Sequence, residues 1–233
     1  QSLDAARRLA PHARLVRSVD VAFRLPFEAP PLPGPKAKVG VNVSGLLFNG
    51  GYSGGNAFGL DIDYPDLMRR FIAALQARDD VETHLICHVN SERLPADDDG
   101  RVADLLAKEF PAVVRAPDFP TPSAAKSYIA ALQFLVAGRM DACIGAFSAG
   151  VPVAPIAYSR KFAGLFEGVL GYPYQVPVKG MSTDQALAYL LDCFERRDEL
   201  ASAVADGNVR VAAALDAYHD ELRGFLREAA ARR

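Results

Sequence analysis

The sequence has few cysteines, no tryptophan and no excess of charge of either sign. Its three cysteines, Cys87, Cys143 and Cys193, are widely spaced and lie in apolar segments of the 233-residue chain. An odd, scattered set argues against the disulfide framework of small secreted domains and against cysteine-rich metal sites. We therefore predict buried free thiols in a reducing compartment.

Charge and hydropathy argue against a nucleic-acid-binding or membrane protein. Basic and acidic side chains number 26 and 28 and are interspersed, which gives no general electrostatic reason to bind nucleic acid or a membrane surface. No apolar run is long enough to span a bilayer, and no signal-peptide pattern is present. We predict a cytoplasmic protein without a transmembrane segment or a nucleic-acid partner. Half of the residues are hydrophobic, which is enough for a large core.

Proline and glycine mark a boundary near the start of the chain. Five prolines and a glycine fall within residues 26–35, which is the composition of a linker. We predict the end of a mostly absent N-terminal domain at residues 1–25, with a helix at 3–9 and an extended segment at 13–23. Residues 26–37 are the predicted linker. Because the chain opens with Gln1, we expect a fragment of a longer protein.

Strand and helix patterns then alternate. Apolar segments at residues 38–43, 82–89 and 112–116 predict strands, and residues 64–78, 99–110 and 123–131 predict helices. Repeated units of this length predict an α/β fold in which helices cover both faces of a Rossmann-like parallel sheet, over residues 38–180. Residues 181–233 are predicted to form helices that pack on this domain.

One stretch concentrates the functional signals. Residues 134–136 predict a strand, a turn follows at Gly138, and residues 140–147 repeat with the spacing of a buried helix. A second apolar strand, residues 151–156, leads to Tyr158, Ser159 and Lys161. If the two strands are parallel neighbours, these polar groups emerge where open α/β sheets bind ligands.

Arg139 would then lie at a helix N-terminus with Lys161 within reach. Two cations beside free helix N–H groups favour a carboxylate or a phosphate, so we predict that both bind substrate. Tyr158 and Ser159 are further predicted binding residues. A structural salt bridge for Arg139 and a packing role for Tyr158 are the alternatives.

A glycine-rich loop, residues 42–56, follows the first strand. It fits neither the dinucleotide fingerprint nor the P-loop, because its glycine spacing differs and the lysine is missing. A mobile loop over a substrate and an irregular connection both remain open. Ser44 and Gly45, directly at the strand end, are the better binding candidates.

His88 ends the second predicted strand and would point toward the same crevice. Both a functional and a structural role remain open for His88. His84 is predicted to be a surface histidine or one whose hydrogen bonds are satisfied within the fold. No histidine pair has metal-ligand spacing, so neither a metal nor a cofactor is predicted. The acidic run at residues 97–99 is expected to cap a helix, and Asp141 is expected to complement a helix dipole.

Together these stretches resemble the polysaccharide pyruvyltransferase family. The resemblance is carried by His88 with the acidic residues 97–99, and by residues 20–23, 39–46, 58–60, 63–64, 138–140, 142–144, 150–152 and 158–162. It implies the C-terminal half of a two-domain, GT-B-like fold. It also implies transfer of the enolpyruvyl unit of phosphoenolpyruvate to a sugar or polysaccharide-precursor acceptor as a pyruvate ketal, during synthesis of cell-surface exopolysaccharide. Peripheral contact with lipid-linked sugars is compatible with it.

Arg139 stands where the family has its phosphoenolpyruvate-binding arginine, but Asp141 replaces a family histidine. An ionised carboxylate a few ångströms from an anionic donor costs on the order of a few kcal/mol at an effective dielectric of about 20. We predict His88 and Asp141 as the catalytic residues. Two alternatives are a GT-B glycosyltransferase-like protein that uses a nucleotide sugar and a non-catalytic relative that binds a sugar or an anion.

Overall fold

The computed structural model of the chain describes residues 2–231. Within them the strands are β1 (Ala37–Asn42), β2 (Val81–Leu85), β3 (Val114–Arg115), β4 (Phe134–Ala137), β5 (Val153–Ala157) and β6 (Val176–Pro177). The α-helices are α1 (Ser2–Leu9), α2 (Gly45–Phe48), α3 (Tyr64–Gln76), α4 (Asp99–Glu109), α5 (Pro122–Ala130), α6 (Met140–Ser148), α7 (Arg160–Phe166), α8 (Thr183–Glu195) and α9 (Arg197–Ala231). Short 3-10 helices cover Val21–Arg24 and Pro95–Asp97.

The sheet has the strand order β3-β2-β1-β4-β5-β6, and its paired strands are parallel. The predicted α/β class is therefore confirmed. The connections reverse direction between β1 and β4, and open sheets of this order bind ligands beyond the carboxyl ends at such a switch point. Helices α3 and α8 pack together, and α6 packs with α5 and α9, so that helices cover both faces of the sheet.

The apolar positions that predicted the strands and helices lie in the core. Every residue of β4 is buried, as expected of a central parallel strand with helices on both faces. In α3, Leu67, Phe71 and Leu75 point inward and are fully buried. Asp63 caps the N-terminus of this helix, because its carboxylate accepts a hydrogen bond from the Asp66 N–H. Burial of each such side chain contributes about 1.5–3 kcal/mol.

Two local predictions were wrong. The extended segment predicted at residues 13–23 ends instead in the 3-10 helix Val21–Arg24, capped by the Asp20 carboxylate. The glycine-rich connection after β1 contains α2, where Ser44 Oγ accepts a hydrogen bond from the Leu47 N–H. Both helices span four residues, so neither is long enough to show a hydrophobic period.

The second strand is shorter than predicted. It ends at Leu85, and the Ile86 N–H still donates to the Val41 carbonyl. Beyond this point the His88 and Val89 N–H groups donate to the Asp99 carboxylate. His88 therefore lies in the loop after β2, because a side chain replaces the neighbouring strand as hydrogen-bond partner.

The two C-terminal helices pack on the rest of the chain. Helix α8 begins with a capping box of Ser182 and Gln185, and the first half of α9 is buried at several apolar positions. Asn208 of α9 donates to the Phe147 carbonyl over 2.7 Å. No helix within residues 2–231 combines the length and apolar character needed to cross a membrane. The domain boundaries proposed from the sequence remain predictions.

Candidate functional site

A buried ion pair between Asp99 and Arg139 lies beyond the ends of β1, β2 and β4. Arg139 follows β4 and precedes α6, and Asp99 is the first residue of α4. The Arg139 Nη2 and Nε atoms donate to Asp99 Oδ1 over 2.7 and 3.1 Å. Asp99 is 1% and Arg139 8% exposed. At this depth each charge needs the other, because an unpaired buried ion costs several kcal/mol.

The Asp99 carboxylate also joins three loops. Its Oδ1 accepts from the Gly45 N–H over 2.8 Å, and its Oδ2 accepts from the His88 and Val89 N–H groups over 3.2 Å. Asn42 Nδ2 donates to Oδ2 over 3.1 Å. One side chain thus fixes the segments that follow β1 and β2 against the residue that follows β4.

Asn42, the last residue of β1, completes this network. Its Nδ2 also donates to the Ile86 carbonyl over 3.0 Å, and its Oδ1 accepts from the Arg139 N–H over 3.1 Å. The side chain is fully buried. Asn42 therefore uses its amide to connect the backbones after β2 and β4, and it orients the start of α6.

Asp97 supplies a second carboxylate to Arg139. The Arg139 Nη2 atom donates to the Asp97 main-chain carbonyl over 2.7 Å, and Asp97 Oδ1 lies 2.8 Å from Nη2 as an ion-pair contact. Tyr52 of the glycine-rich loop donates to Asp97 Oδ2 over 3.1 Å. Two carboxylates and one guanidinium leave a local charge of about −1, so Arg139 is not a free cation.

Ser44 and Gly45 lie beneath the site. The Ser44 N–H donates to the Tyr64 hydroxyl over 3.0 Å, and both predicted binding residues are buried. A Cβ atom on Gly45 would lie 2.5 Å from the Asp98 carbonyl oxygen, closer than real Cβ atoms approach backbone. Glycine at position 45 thus allows α2 to reach the start of α4. A substrate contact by either residue remains a prediction.

A pocket opens beside this network, between α5 and α6. We name it the α5–α6 pocket; its volume is about 200 Å³. It is lined by Ala22, Leu25, His88, Pro122, Lys126, Ile129, Asp141, Ile144 and Gly145. The structure therefore brings together the two residues predicted to be catalytic, His88 and Asp141.

His88 is a neutral imidazole at neutral pH. Burial lowers its pKa below the ordinary 6.5, the Asp141 and Asp99 carboxylates act in the opposite direction, and the Arg139 charge adds to the lowering. Its Nδ1 atom is buried and has no hydrogen-bond partner among the described residues. A neutral ring with an uncommitted nitrogen can accept or donate a proton.

Lys126 is the cation of the α5–α6 pocket. Its Nζ donates to the Phe23 and Leu25 carbonyls over 3.2 and 2.8 Å and lies 4.7 Å from the centre of the Phe27 ring. The side chain is 3% exposed, and burial lowers its pKa. These partners carry no formal charge, and no carboxylate of residues 2–231 forms an ion pair with Lys126.

A second pocket lies beyond the ends of β5 and β6. This β5–β6 pocket has a volume of about 540 Å³. It is lined by Ala157, Tyr158, Ser159, Arg160, Ala163, Glu167, Pro173, Gln175, Pro177, Val178, Lys179, Met181 and Tyr189. Tyr158 and Ser159 are thus placed in a different pocket from His88 and Asp141.

The expected pairing of Arg139 with Lys161 around one anion needs correction. Arg139 is held by Asp97 and Asp99, and Lys161 is exposed and lines neither pocket. The physical reason is burial, because a guanidinium enclosed by the protein recruits carboxylates of its own. The contacts of Arg139 are those of a structural salt bridge, which was the alternative interpretation of this residue.

A family model described as polysaccharide pyruvyl transferase matches residues 1–160, more than half of the chain. The chain belongs to the polysaccharide pyruvyl transferase family. This confirms the resemblance drawn from the sequence motifs, and the matched region includes both predicted catalytic residues. A comparison with curated protein sequences gave no match.

The chain is similar in fold to several solved structures. Sucrose-phosphate synthase from Thermosynechococcus elongatus is 14% identical with a TM-score of 0.58, over 100% of this chain and 57% of that one. Spinosyn rhamnosyltransferase SpnG is 14% identical with a TM-score of 0.50, over 78% and 43%. Trehalose 6-phosphate synthase from Burkholderia multivorans is 12% identical with a TM-score of 0.50, over 84% and 43%.

These similarities show that the fold is that of one half of a GT-B structure. The chain spans about half the length of the solved structures it matches. No group of three or more histidine, cysteine or acidic side chains within residues 2–231 could hold a metal ion.

Three structural members of the site were not identified from the sequence of this pyruvyl transferase relative. Asn42 lies in the predicted strand 38–43 and at the start of the glycine-rich loop, Asp99 lies in the acidic run 97–99, and Lys126 lies in the predicted helix 123–131. A signal existed for Asn42 and Lys126, since a polar residue within an apolar segment needs a partner when buried. For Asp99 the capping explanation was sufficient, but Asp98 is the residue that caps α4.

Proposed function

We propose that the protein is a transferase that moves a pyruvyl group from a phosphoenolpyruvate-like donor to a sugar in cell-surface polysaccharide synthesis. The observation that carries this proposal is the family match over residues 1–160, which spans the α5–α6 pocket residues His88, Lys126 and Asp141. Because the chain spans about half the length of the solved structures it matches, the activity is proposed for the whole protein. The cytoplasm is the proposed site of action.

The size of the α5–α6 pocket favours a small donor. Pockets for drug-sized ligands measure about 300–1,000 Å³. A volume of about 200 Å³ suits a compact acid better than a nucleotide sugar. Lys126 would hold the donor as its counter-ion, and the Asp99–Arg139 pair would support the pocket without contacting the donor.

The proposed chemistry is the addition of a sugar hydroxyl to the donor double bond. Neutral His88 accepts the hydroxyl proton while the oxygen bonds to the central donor carbon, and returns a proton to the methylene carbon. A second sugar hydroxyl then displaces the phosphate and closes the ketal, with Asp141 accepting its proton. The first hydroxyl proton ends in the new methyl group and the second leaves with the phosphate as hydrogen phosphate, so no further proton is released.

Asp141 is the difference from the family pattern that most needs a test. Its carboxylate should weaken binding of an anionic donor by charge repulsion. We expect the Asp141→Asn variant to bind phosphoenolpyruvate several-fold more tightly by calorimetry. We expect Asp141→His to retain or raise pyruvyl transfer. Loss of a native activity in Asp141→His, without any gain of pyruvyl transfer, would instead point to a changed substrate.

The central experiment measures phosphoenolpyruvate binding and ketal formation, the latter by mass spectrometry of the sugar product. Lys126→Met should weaken donor binding at least tenfold, and His88→Gln should reduce turnover about 10²–10⁴-fold while binding persists. Lys108→Ala, at an exposed position of α4, is the matched control and should leave both unchanged. Unaltered donor affinity in Lys126→Met would refute the donor site.

A nucleotide-sugar transferase is the alternative that one observation favours. The β5–β6 pocket, at about 540 Å³, is large enough for a bigger ligand. This alternative predicts thermal stabilisation by UDP- or GDP-sugars and none by phosphoenolpyruvate. A protein that binds sugar but yields no product with either donor would be a non-catalytic relative.

A further inference from the structure

The β5–β6 pocket contains a buried acceptor that lacks a donor. Gln175 is 6% exposed, and its Nε2 donates to Glu167 Oε1 over 2.5 Å. Because a carboxylate only accepts, this bond fixes the orientation of the amide and leaves Oε1 as an acceptor. That oxygen has no hydrogen-bond partner among the described residues. Buried polar atoms are almost always satisfied, so an O–H or N–H donor is missing here.

The lining of the same pocket carries a net positive charge, because two cations, Arg160 and Lys179, face one carboxylate, Glu167. Arg160 and Lys179 are exposed, and neither forms an ion pair with any residue in the described part of the chain. The Glu167 carboxylate accepts a hydrogen bond from the neutral Gln175 amide and has no cation as partner among the described residues. Ser159 precedes α7, yet its hydroxyl makes no capping hydrogen bond. These groups match a ligand with both hydroxyls and a negative charge.

The walls of the pocket are partly aromatic. Tyr158 is packed edge-on against Phe58 and also contacts Phe162, which holds its ring in place. Tyr189 of α8 lines the pocket together with Tyr158. Rigid tyrosine rings offer an apolar face to the carbon side of a sugar ring, while their hydroxyl groups remain available to polar atoms.

We propose that the β5–β6 pocket is a binding site for a sugar phosphate. A ring hydroxyl donates to Gln175 Oε1, the phosphate pairs with Arg160 and Lys179, and the ring lies against Tyr158. The proposal is independent of pyruvyl transfer, because the β5–β6 pocket and the α5–α6 pocket share no lining residue.

Calorimetry with glucose 1-phosphate tests the site, with glucose and inorganic phosphate as partial ligands. Glucose 1-phosphate should bind at least tenfold more tightly than either part. The double variant Arg160→Ala/Lys179→Ala should weaken binding at least tenfold, and since both residues are exposed the fold should persist. Gln175→Leu should weaken it about five- to tenfold, the scale of one hydrogen bond to a buried acceptor. Lys108→Ala is the matched charge-loss control.

Three results would overturn the proposal: equal binding of inorganic phosphate and glucose 1-phosphate, undiminished affinity in the double variant, or an effect of Lys108→Ala as large as that of the pocket variants. Phosphoenolpyruvate, titrated into the same variants, separates the two proposals. The affinity for phosphoenolpyruvate should fall in Lys126→Met and stay unchanged in Arg160→Ala/Lys179→Ala. Either proposed site can therefore be refuted without refuting the other.

Discussion

The two pockets at the carboxyl edge of the sheet hold their charges in opposite ways. Around the α5–α6 pocket, Lys126, Asp99 and Arg139 are buried and hydrogen-bonded within the fold. At the β5–β6 pocket, Arg160 and Lys179 are exposed and unpaired among the described residues. Buried Asp99 and Arg139 must be paired within the protein, whereas a cation without a carboxylate partner, buried like Lys126 or exposed like Arg160, can pair with a ligand.

This contrast predicts where substitutions affect stability. Changes beneath the α5–α6 pocket should destabilise the fold, because they leave buried polar partners without their bonds. Changes at the rim of the β5–β6 pocket should affect ligand binding with little effect on stability. Substitutions at the two pockets, taken in order of decreasing effect, test this difference.

Asp99→Ala should have the largest effect. It leaves the Arg139 guanidinium buried beside Asp97 alone and removes the acceptor of three backbone N–H groups, so we expect a loss of about 3–5 kcal/mol. Denaturant unfolding monitored by circular dichroism measures the loss. Arg160→Ala, at the other pocket, should change stability by no more than about 0.5 kcal/mol. Equal losses in the two variants would remove the distinction between the pockets.

Gly45→Ala should have an intermediate effect. The added methyl group would lie 2.5 Å from the Asp98 carbonyl oxygen, and the forced backbone shift should cost about 1–3 kcal/mol. Gly164→Ala is the matched control in α7, where an added Cβ meets no atom within 4 Å. There alanine should be neutral or stabilise the helix by up to about 1 kcal/mol. A stable Gly45→Ala protein would show that α2 and α4 can separate without cost.

His88 should give the smallest effect, seen as a pH dependence. Its pKa in the folded chain lies below 6.5, so the unfolded chain binds the extra proton first as the pH falls. The contribution to stability is complete above about pH 6.5 and decreases below it as the unfolded chain becomes protonated. The His88→Gln variant should show a weaker dependence in unfolding experiments between pH 5 and pH 8, and the part that remains should come from His84, whose pKa is also lowered by burial.

The same histidine allows a direct reading of the pocket's electrostatics. Because the Asp141 carboxylate raises the His88 pKa, Asp141→Asn should lower it further. Titration of the imidazole proton signals by NMR measures both values. A His88 pKa that does not respond to Asp141→Asn would separate the two residues and weaken their assignment to one pocket.

Hydrophobic periodicity was sufficient to predict five of the six strands and most helices, but neither β6 nor α7 was predicted. The inward positions of α3 and the fully apolar β4 repeat with fixed spacing, and that spacing reflects burial directly. The same reasoning failed for α2 and for the end of β2. Four residues are too few to show a period, and β2 ends where the Asp99 side chain captures the backbone.

The candidate site was predictable in part. The turn at residues 138–140 and the position of Arg139 at the start of α6 followed from local pattern, as did the motifs of the pyruvyl transferase family. The partners of Arg139 could not be predicted from local pattern. Asp97 and Asp99 lie about 40 residues away in the chain, and nothing in their own neighbourhood distinguishes a buried carboxylate from a helix cap.

The sequence by itself determined the alternating strands and helices, the apolar core and the family, because these depend on the order and spacing of residues along the chain. The tertiary structure alone decided which charges are paired, that His88 and Asp141 share one pocket, and that Tyr158 and Ser159 line another. The physical reason is that pairing and burial depend on distances between segments remote in sequence, and those distances exist only once the sheet has formed.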